Sequence, residues 1–240
     1  MKRGVVVASD QNMQWLLPWW YGRFSSTNTL PVAFVDLGMD AQMKAWCQSR
    51  GEVLALKGSF SDKAPSEQVF KGWEQSYGLS YKTARRAWFQ KPLACALSPF
   101  DKTLWLDLDC EVLEGLDSIF SFVGGDKEIA VALQDPRAPS EAFRCNGGAV
   151  VFMKSSPLIR IWAKLSQSVS HEHWGDDTLL SSVLEKSLSR VSILPEVYNW
   201  RISQGLPLHA KVIHWNGEWG KTCIKEHGGL KEALERVRSI

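Results

Sequence analysis

Two aspartates that follow a strongly apolar run are the residues best suited to chemistry. Residues 103–109 read Thr-Leu-Trp-Leu-Asp-Leu-Asp, so leucines alternate with Trp105, Asp107 and Asp109. If the whole run is a strand, both carboxylates lie on one face, roughly 7 Å apart along the chain. Two such carboxylates repel each other and are costly to bury unless a cation joins them. The pattern therefore predicts a site for a hard divalent cation, with a solvated pair of strand-end aspartates as the alternative.

These aspartates depend on the element that carries them, and the chain alternates short strands with helices. Apolar runs rich in β-branched residues are separated by helical stretches, a pattern typical of a mainly parallel sheet covered by helices. Such sheets bind ligands at the carboxyl ends of their strands, where Asp107 and Asp109 would lie. We predict strands at residues 4–8, 32–36, 52–56, 103–109, 129–133, 149–153, 190–194 and 211–215.

Spacing and capping residues predict three of the helices. Met39, Met43 and Trp46 recur at positions i, i+4 and i+7, which indicates an amphipathic helix after the second strand. Ser156 and Pro157 supply an N-cap and a first-turn proline for another helix. The apolar stripe of that helix consists of Leu158, Ile161, Trp162 and Leu165. A final helix is predicted over residues 230–237, with an apolar stripe of Leu230, Ala233, Leu234 and Val237.

The composition excludes several classes of protein. With 240 residues, 45% of them hydrophobic and 22% charged, we expect a single α/β domain over residues 1–240. A net charge of +2 without a block of lysines or arginines argues against a nucleic-acid partner. No apolar run approaches the roughly 18 residues of a transmembrane segment, and residues 4–8 are too short for a signal peptide, so we expect a cytoplasmic protein. The five cysteines show neither a disulfide nor a zinc pattern.

Beyond these patterns, residues 99–109 (Pro-Phe-Asp-Lys-Thr-Leu-Trp-Leu-Asp-Leu-Asp) resemble a recurrent segment of GT-A glycosyltransferases, particularly of glycosyltransferase family 8. The resemblance extends in order over most of the chain and implies an α/β fold of the GT-A (Rossmann-like) type, with a mixed, mainly parallel sheet flanked by helices. The other matching segments are residues 35–39 (Val-Asp-Leu-Gly-Met), 146–151 (Asn-Gly-Gly-Ala-Val-Val), 175–180 (Gly-Asp-Asp-Thr-Leu-Leu), 194–200 and 213–217 (Ile-His-Trp-Asn-Gly).

This resemblance implies a metal centre of three side chains. Asp109 would bind the ion directly, Asp107 would bind the ion, the ribose of the donor or both, and His214 would be the third protein ligand. An imidazole beside carboxylates favours Mn²⁺ over Ca²⁺, and Mg²⁺ is the other candidate. The alternative for His214 is a histidine at a strand end that is satisfied by backbone groups.

The resemblance also implies a nucleotide site at the ends of the first two strands. Ala8, Ser9 and Asp10 would cradle the nucleoside, and Asp36 would lie at the base or the ribose. A carboxylate can accept a charge-assisted hydrogen bond from a nucleobase N–H or a ribose hydroxyl. Both aspartates have an equally simple alternative, which is to cap backbone N–H groups in a turn.

Several cations could meet the diphosphate. Lys91 matches a recurrent lysine-proline pair of related enzymes, and Arg85 and Arg86 precede it on the same helical stretch, where a solvated helix face is the alternative. Gly217 is the glycine of the family's H-x-x-G ending. The family's following lysine falls here on Gly220, so Lys221, one residue later, is the candidate phosphate clamp.

Three residues are candidates for catalytic contacts with the sugars. Asn146 precedes two glycines that let the backbone approach a ligand, and its amide could bind a hydroxyl of the donor sugar or simply cap the turn. Asp176 would contact the donor sugar or the acceptor hydroxyl. Asp177 stands where the family has glutamine, and Thr178 where it has a second aspartate, so the family mechanism does not transfer directly. Either aspartate could instead be a helix N-cap.

From these residues and from the resemblance we predict a metal-dependent glycosyltransferase that moves a hexose from a nucleotide-diphosphate sugar, UDP-linked, to a hydroxyl acceptor. The resemblance implies retention of configuration. The acceptor would be a glycan, a lipid-linked sugar or a small molecule. One alternative is a non-catalytic nucleotide-sugar or carbohydrate-binding domain of the same fold. The other is a sugar-phosphate nucleotidyltransferase, but residues 8–12 (Ala-Ser-Asp-Gln-Asn) lack the glycine-rich basic loop that grips a triphosphate.

Overall fold

A central seven-stranded sheet organises the chain. The computed structural model describes residues 1–56, 67, 69–71, 81–135, 142–205 and 209–230, with only the backbone for residues 81–83. Its strands are β1 (Arg3–Ser9), β2 (Val32–Asp36), β3 (Glu52–Ala55), β4 (Lys102–Leu106), β5 (Cys110–Val112), β6 (Ile129–Leu133), β7 (Cys145–Met153), β8 (Val191–Ile193), β9 (Trp200–Arg201) and β10 (Val212–His214). Its α-helices are α1 (Leu16–Ser25), α2 (Ala41–Gln48), α3 (Tyr81–Ala96), α4 (Pro157–Ser168), α5 (Asp176–Glu185) and α6 (Gly217–His227).

The main sheet is predominantly parallel, as predicted. Its strand order is β3-β2-β1-β4-β7-β6-β8, and only β7 runs against its neighbours. The carboxyl ends of β1, β2 and β4 therefore lie at the same edge as the amino end of β7. A second sheet, of order β5-β10-β9, lies beside this edge, with β5 antiparallel and β9 parallel to β10. β5, β9 and this second sheet were not predicted from the sequence.

Both faces of the main sheet are buried, which explains why its strands read as continuous apolar runs. On one face Val5 and Leu104 pack with Trp20 of α1 and with the second sheet. On the other face Trp105 packs in a cluster that includes Trp162 of α4, together with residues of α3 and α5. Alternate residues of each strand thus serve two separate cores.

The predicted strand 103–109 is wrong at its end. β4 stops at Leu106, and the carbonyl of Asp107 accepts a hydrogen bond of 3.0 Å from the Cys110 amide, which closes a turn. The chain turns here because Cys110 begins β5, which pairs with β10 in the second sheet. Asp107 and Asp109 therefore lie in a turn after the strand and not on one strand face.

The predicted helix start at residue 156 is confirmed. The Ser156 side chain accepts from the amide of Leu158, and Pro157 occupies the first turn of α4. The predicted apolar stripe is wrong at Ile161, which is 44% exposed, while its neighbour Ile159 is buried. The predicted final helix over residues 230–237 falls outside the described residues after its first position.

Candidate active site

A tight turn between β4 and β5 carries the two aspartates. The Asp107 amide donates to the carbonyl of Gly148 at 2.9 Å, so the turn is anchored on β7. The Trp105 indole nitrogen donates to Asp107 Oδ1 at 2.7 Å, a contact that follows from their i, i+2 spacing. Asp109 is buried and Asp107 is half-buried. The turn presents both carboxylates to the same space above the sheet edge.

His214 reaches these carboxylates from the second sheet. It is the last residue of β10, directly opposite Cys110 of β5, and the following amide of Trp215 donates to the Asp109 carbonyl at 2.9 Å. The His214 Nε2 atom lies 3.4 Å from Asp109 Oδ1 and 3.8 Å from Asp107 Oδ2. The three side chains that the sequence proposed as metal ligands are thus brought together.

The hydrogen bonds of Asn146 show that Nδ1 of His214 carries a proton. Asn146 Oδ1 accepts from the Gly148 amide at 3.0 Å and from Asn199 Nδ2 at 2.8 Å, so this atom is an oxygen. The same oxygen lies 3.1 Å from His214 Nδ1. An amide oxygen can only accept, so Nδ1 holds a proton. Nε2 then faces the two carboxylates. Burial would lower the pKa of His214, but Asp109 and Asp107 raise it above its usual value, so without a metal Nε2 holds a proton that a bound ion would displace. Asn199 had no role predicted from the sequence.

The donor set fits a divalent transition metal. Ligand atoms of Asp109, Cys110 and His214 lie within 4.8 Å of one another, and Asp107 Oδ2 lies near the same imidazole nitrogen. A protonated Nδ1 held by an outer partner is the arrangement that orients metal-binding histidines. The Cys110 thiol donates to the Gly148 carbonyl at 3.4 Å, and burial, reinforced by the nearby aspartates, raises its pKa well above the usual range. Cys110 was missed in the sequence, where only its adjacency to Asp109 distinguishes it.

Lys91 of α3 joins the two acidic pairs. Its Nζ atom lies 2.9 Å from Asp107 Oδ1, 2.8 Å from Asp176 Oδ2 and 3.3 Å from the Gly147 carbonyl. Burial alone would lower the pKa of Lys91, but Asp107 and Asp176 raise it well above its usual value, so the ammonium stays charged. A buried cation between two carboxylates holds α3, the turn and α5 together.

The two aspartates that open α5 have different partners. Asp177 accepts from the Gly147 amide at 2.8 Å and from Asn146 Nδ2 at 3.2 Å, which links α5 to the start of β7. Asp176 contacts Lys91 instead. Burial raises the pKa of both carboxyls, to about 7 for Asp176, although the charge of Lys91 opposes this rise. The N-cap of α5 is Gly175, so neither aspartate has that role.

The glycine pair at the start of β7 makes this close packing possible. A Cβ atom on Gly148 would lie 2.2 Å from His214 Nδ1 and 2.7 Å from Asn199 Oδ1. One on Gly147 would lie 2.7 Å from Asp177 Oδ1. The backbone of β7 at Gly147 and Gly148 therefore forms the floor of the site and lies in direct contact with the side chains of His214, Asn199 and Asp177.

Lys221 approaches the centre from α6. Its Nζ atom lies 3.1 Å from Asp109 Oδ2 and 3.3 Å from the carbonyl of Gly217, the first residue of the helix. Gly217 has φ +84°, a conformation that favours glycine. Burial would raise the pKa of Asp109, but the charges of Lys221 and His214 outweigh it and hold the pKa well below its usual value.

The proposed nucleoside residues lie at the ends of β1 and β2. Ala8 and Ser9 end β1, and Ser9 pairs with Asp36, the last residue of β2. Asp10 accepts from the Met13 amide at 2.9 Å. Asp36 accepts from two backbone amides, each at 2.8 Å, and pairs with a lysine at 2.7 Å. Both aspartates make the turn contacts that the sequence offered as the alternative. Burial alone would raise the pKa of Asp36, but these bonds lower it.

The two arginines of α3 are not part of this cluster. The Arg85 guanidinium is buried over the Phe89 ring and donates to the carbonyls of Ser170 and His173, the latter at 3.1 Å. Arg86 is exposed. Of the three cations proposed on this helix, only Lys91 contacts the aspartates that surround the centre.

Solved glycosyltransferases share this fold. The crystal structure of the galactosyltransferase LgtC in complex with donor and acceptor sugar analogues aligns with a TM-score of 0.61 and 14% identity, over 90% of this chain and 87% of LgtC. Glycosyltransferase GlyE of Streptococcus pneumoniae TIGR4 aligns with a TM-score of 0.61 and 18% identity, over 91% of this chain and 55% of GlyE. Mouse xyloside xylosyltransferase 1 aligns with a TM-score of 0.56 and 13% identity, over 89% of this chain and 97% of that protein.

These similarities establish the fold. The chain has the GT-A type of α/β fold, as predicted. No protein-family model matches the sequence, and no curated protein matches it either. Among the described residues, no helix has the length and apolar character needed to cross a bilayer.

Proposed function

We propose that this chain is a metal-dependent glycosyltransferase that moves a hexose from a nucleotide-diphosphate sugar, UDP-linked, to a hydroxyl acceptor with retention of configuration. One observation carries the proposal, namely the His214 Nε2 atom lying 3.4 Å and 3.8 Å from two carboxylates while its Nδ1 proton is engaged elsewhere. Two carboxylates and an imidazole nitrogen that converge in this way form a ligand set for a divalent cation, which would displace the proton on Nε2 and the Lys221 contact of Asp109.

Asp107, Asp109 and His214 would hold the ion, for which Mn²⁺ or Mg²⁺ are the candidates. When bound, the ion supplies Lewis-acid stabilisation of the negative charge on the leaving diphosphate. With the Nε2 proton displaced, Asn146 keeps the imidazole in the tautomer whose lone pair is at Nε2. Fixing the Nδ1 proton in advance lowers the cost of forming the site.

Lys221 would hold the diphosphate from the side of α6. It now pairs with Asp109 at 3.1 Å, and Asp109 would exchange this partner for the metal. The Lys221 ammonium would then be available to bind a phosphate oxygen of a diphosphate held by the ion. Its pKa is raised because Asp109 outweighs the effect of burial, so the cation persists at neutral pH. A cation aimed at the developing charge favours departure of the nucleotide.

The sugar would bind over the floor formed by Gly147 and Gly148. Asp176 and Asn146 are the groups proposed to contact hydroxyls of the donor sugar or the acceptor. Lys91 fixes Asp176 through a contact of 2.8 Å. Asp177 is held by two hydrogen bonds from the β7 side, so we assign it to positioning Asn146 and Gly147 within the catalytic group.

Retention is proposed to proceed by attack on the same face. The bond between the anomeric carbon and the diphosphate oxygen breaks, and its electron pair leaves with the nucleotide diphosphate. The acceptor oxygen forms the new bond to the same carbon, and its proton passes to the departing phosphate oxygen. This route needs no protein nucleophile, which fits a centre whose aspartates are engaged by Lys91, Lys221 and backbone amides.

The test combines binding and turnover. Purified protein is titrated with Mn²⁺ and UDP by calorimetry and is then assayed for hydrolysis or transfer with a panel of UDP- and GDP-sugars. We expect metal-dependent UDP binding and turnover of at least one donor, and loss of both in Asp109→Asn. Turnover that persists in Asp109→Asn, or in excess chelator, refutes the metal-dependent mechanism. Binding without turnover of any donor would identify the non-catalytic alternative.

A further inference from the structure

A buried carboxylate outside the proposed centre connects the segments that build it. Glu111, the middle residue of β5, has no exposed surface. Its Oε2 atom accepts from the Trp215 indole nitrogen at 2.9 Å and from the Leu230 amide at 2.8 Å. Its Oε1 atom lies 3.5 Å from Nε of Arg23 on α1. A carboxylate buried this completely is costly unless its partners satisfy it.

Two of these partners, Trp215 and Leu230, and Glu111 itself lie next to segments that supply residues of the centre. Glu111 is two residues from Asp109 on the same chain segment. Trp215 directly follows His214, and its amide bonds the Asp109 carbonyl. Leu230 follows α6, the helix that carries Lys221. One carboxylate therefore fixes the relative positions of three backbone segments whose side chains converge on the proposed metal.

Arg23 and Trp19 of α1 hold the same region, and we call their contacts together with those of Glu111 the clamp. Arg23 Nη2 donates to the Gly228 carbonyl at 2.6 Å, and the Trp19 indole donates to the same carbonyl at 2.8 Å. A Cβ atom on Gly229 would lie 2.7 Å from Glu111 Oε2, so the chain after α6 passes directly against the carboxylate. The loop that follows α6 is thus held on α1 and on Glu111 together.

We propose that Glu111 is a positioning residue for the metal centre, acting through Trp215 on His214 and through Leu230 on α6. This inference rests on the proposed metal site. Glu111 is not one of the proposed ligands, so its effect would be on the geometry of Asp109 and His214. Loss of the clamp leaves β5 paired with β10 but releases the Trp215 side chain and the chain after α6, so the ligand atoms of Asp109 and His214 shift from the positions that suit a shared ion.

The experiment compares three variants with the wild type by electron paramagnetic resonance of free Mn²⁺ and by thermal unfolding. Glu111→Leu removes every acceptor and is expected to weaken Mn²⁺ binding by about tenfold or more. Glu111→Gln keeps an acceptor oxygen for Trp215 and Leu230 and is expected to recover most of this affinity. Phe152→Leu, a buried change in the other core, is the matched control that lowers stability without weakening Mn²⁺ binding.

The outcomes separate this inference from the proposed function. A wild type that binds no Mn²⁺ refutes both. A wild type that binds Mn²⁺ beside a folded Glu111→Leu of equal affinity refutes the positioning role alone, as does a loss of affinity in Phe152→Leu equal to that in Glu111→Leu. If Glu111→Leu does not fold, Trp215→Phe removes the indole donor to Glu111 and keeps an aromatic ring at that position. It should weaken Mn²⁺ binding by about tenfold, and unchanged affinity overturns the inference.

Discussion

Replacing Gly148 with alanine would place one methyl group between β7 and the His214 ring. The added Cβ atom would lie 2.2 Å from Nδ1 and 2.5 Å from Cε1 of that ring, whereas ordinary contacts begin at 3.4 Å. The ring must therefore retreat by about 1.2 Å, the difference between 3.4 and 2.2 Å. His214 is buried and bonded to Asn146, so this retreat disrupts a packed site.

The displacement is large compared with the tolerance of a metal bond. Histidine nitrogens bind such ions at about 2.0–2.1 Å, with a tolerance near 0.2 Å. We expect Gly148→Ala to weaken Mn²⁺ binding by at least about tenfold to a hundredfold, the range seen when a ligand loses its orientation. Overpacking should also lower the free energy of unfolding by about 1–3 kcal/mol. Calorimetric titration with Mn²⁺ and urea unfolding measure the two effects separately.

Two further glycine variants serve as controls for this experiment. A Cβ atom added to Gly22 in α1 would meet no atom of the described residues within 4 Å outside its own helix backbone, so Gly22→Ala should raise the free energy of unfolding by about 0.5–1 kcal/mol and leave Mn²⁺ affinity unchanged. Gly147→Ala meets the end of the Asp177 side chain and should weaken Mn²⁺ binding less than Gly148→Ala. Wild-type Mn²⁺ affinity in Gly148→Ala, without loss of stability, would refute the reasoning about His214.

Three more predictions concern stability. Lys91→Met leaves Asp107 and Asp176 without their shared cation and should lower the free energy of unfolding by about 3–5 kcal/mol in urea titrations; a loss near zero contradicts the assigned charge pairing. Ser156→Ala removes the N-cap of α4 and should cost about 1 kcal/mol without changing donor turnover, which tests whether this helix end is independent of the centre. The pKa of Asp36 is lowered in the folded state, so its carboxylate stabilises the fold at pH values above the ordinary pKa of 3.8, and this stabilisation is lost as the pH falls. Asp36→Asn should therefore be less stable than the wild type in thermal unfolding at pH 7, and the difference should shrink below about pH 4. A stability difference that does not change with pH contradicts this.

The main sheet could be predicted because its strands are recognisable from their local sequence alone. β2 and β6 have the predicted bounds, since each is a short apolar run buried on both faces. The second sheet could not, because β5 and β9 contain only three and two residues and have no readable periodicity. Their existence depends on pairing with β10, which is distant in sequence and decides where β4 ends.

In the site, too, residues could be identified from short sequence segments, whereas contacts between residues far apart in sequence could not be predicted. The resemblance pointed to Asp107, Asp109 and His214, and the structure brings their side chains together. The contacts that orient them were beyond the sequence. Asn199 lies in a segment that resembles the family, but its neighbours in sequence do not indicate its contact with Asn146. Glu111 can be recognised as buried only from Trp215 and Arg23, which lie around it in the fold. A buried charge is recognised by its partners, and these partners are scattered along the chain.

The separation of Glu111 and Trp215 by 104 positions has a consequence for biosynthesis. A chain emerging from the ribosome exposes the turn with its two acids long before the imidazole and its supporting strand are made. Closing so long a loop is slow and gains nothing until the small sheet pairs. The proposed ion-binding corner is therefore among the last parts of the molecule to form, and incomplete chains carry the acidic turn without the histidine of that corner.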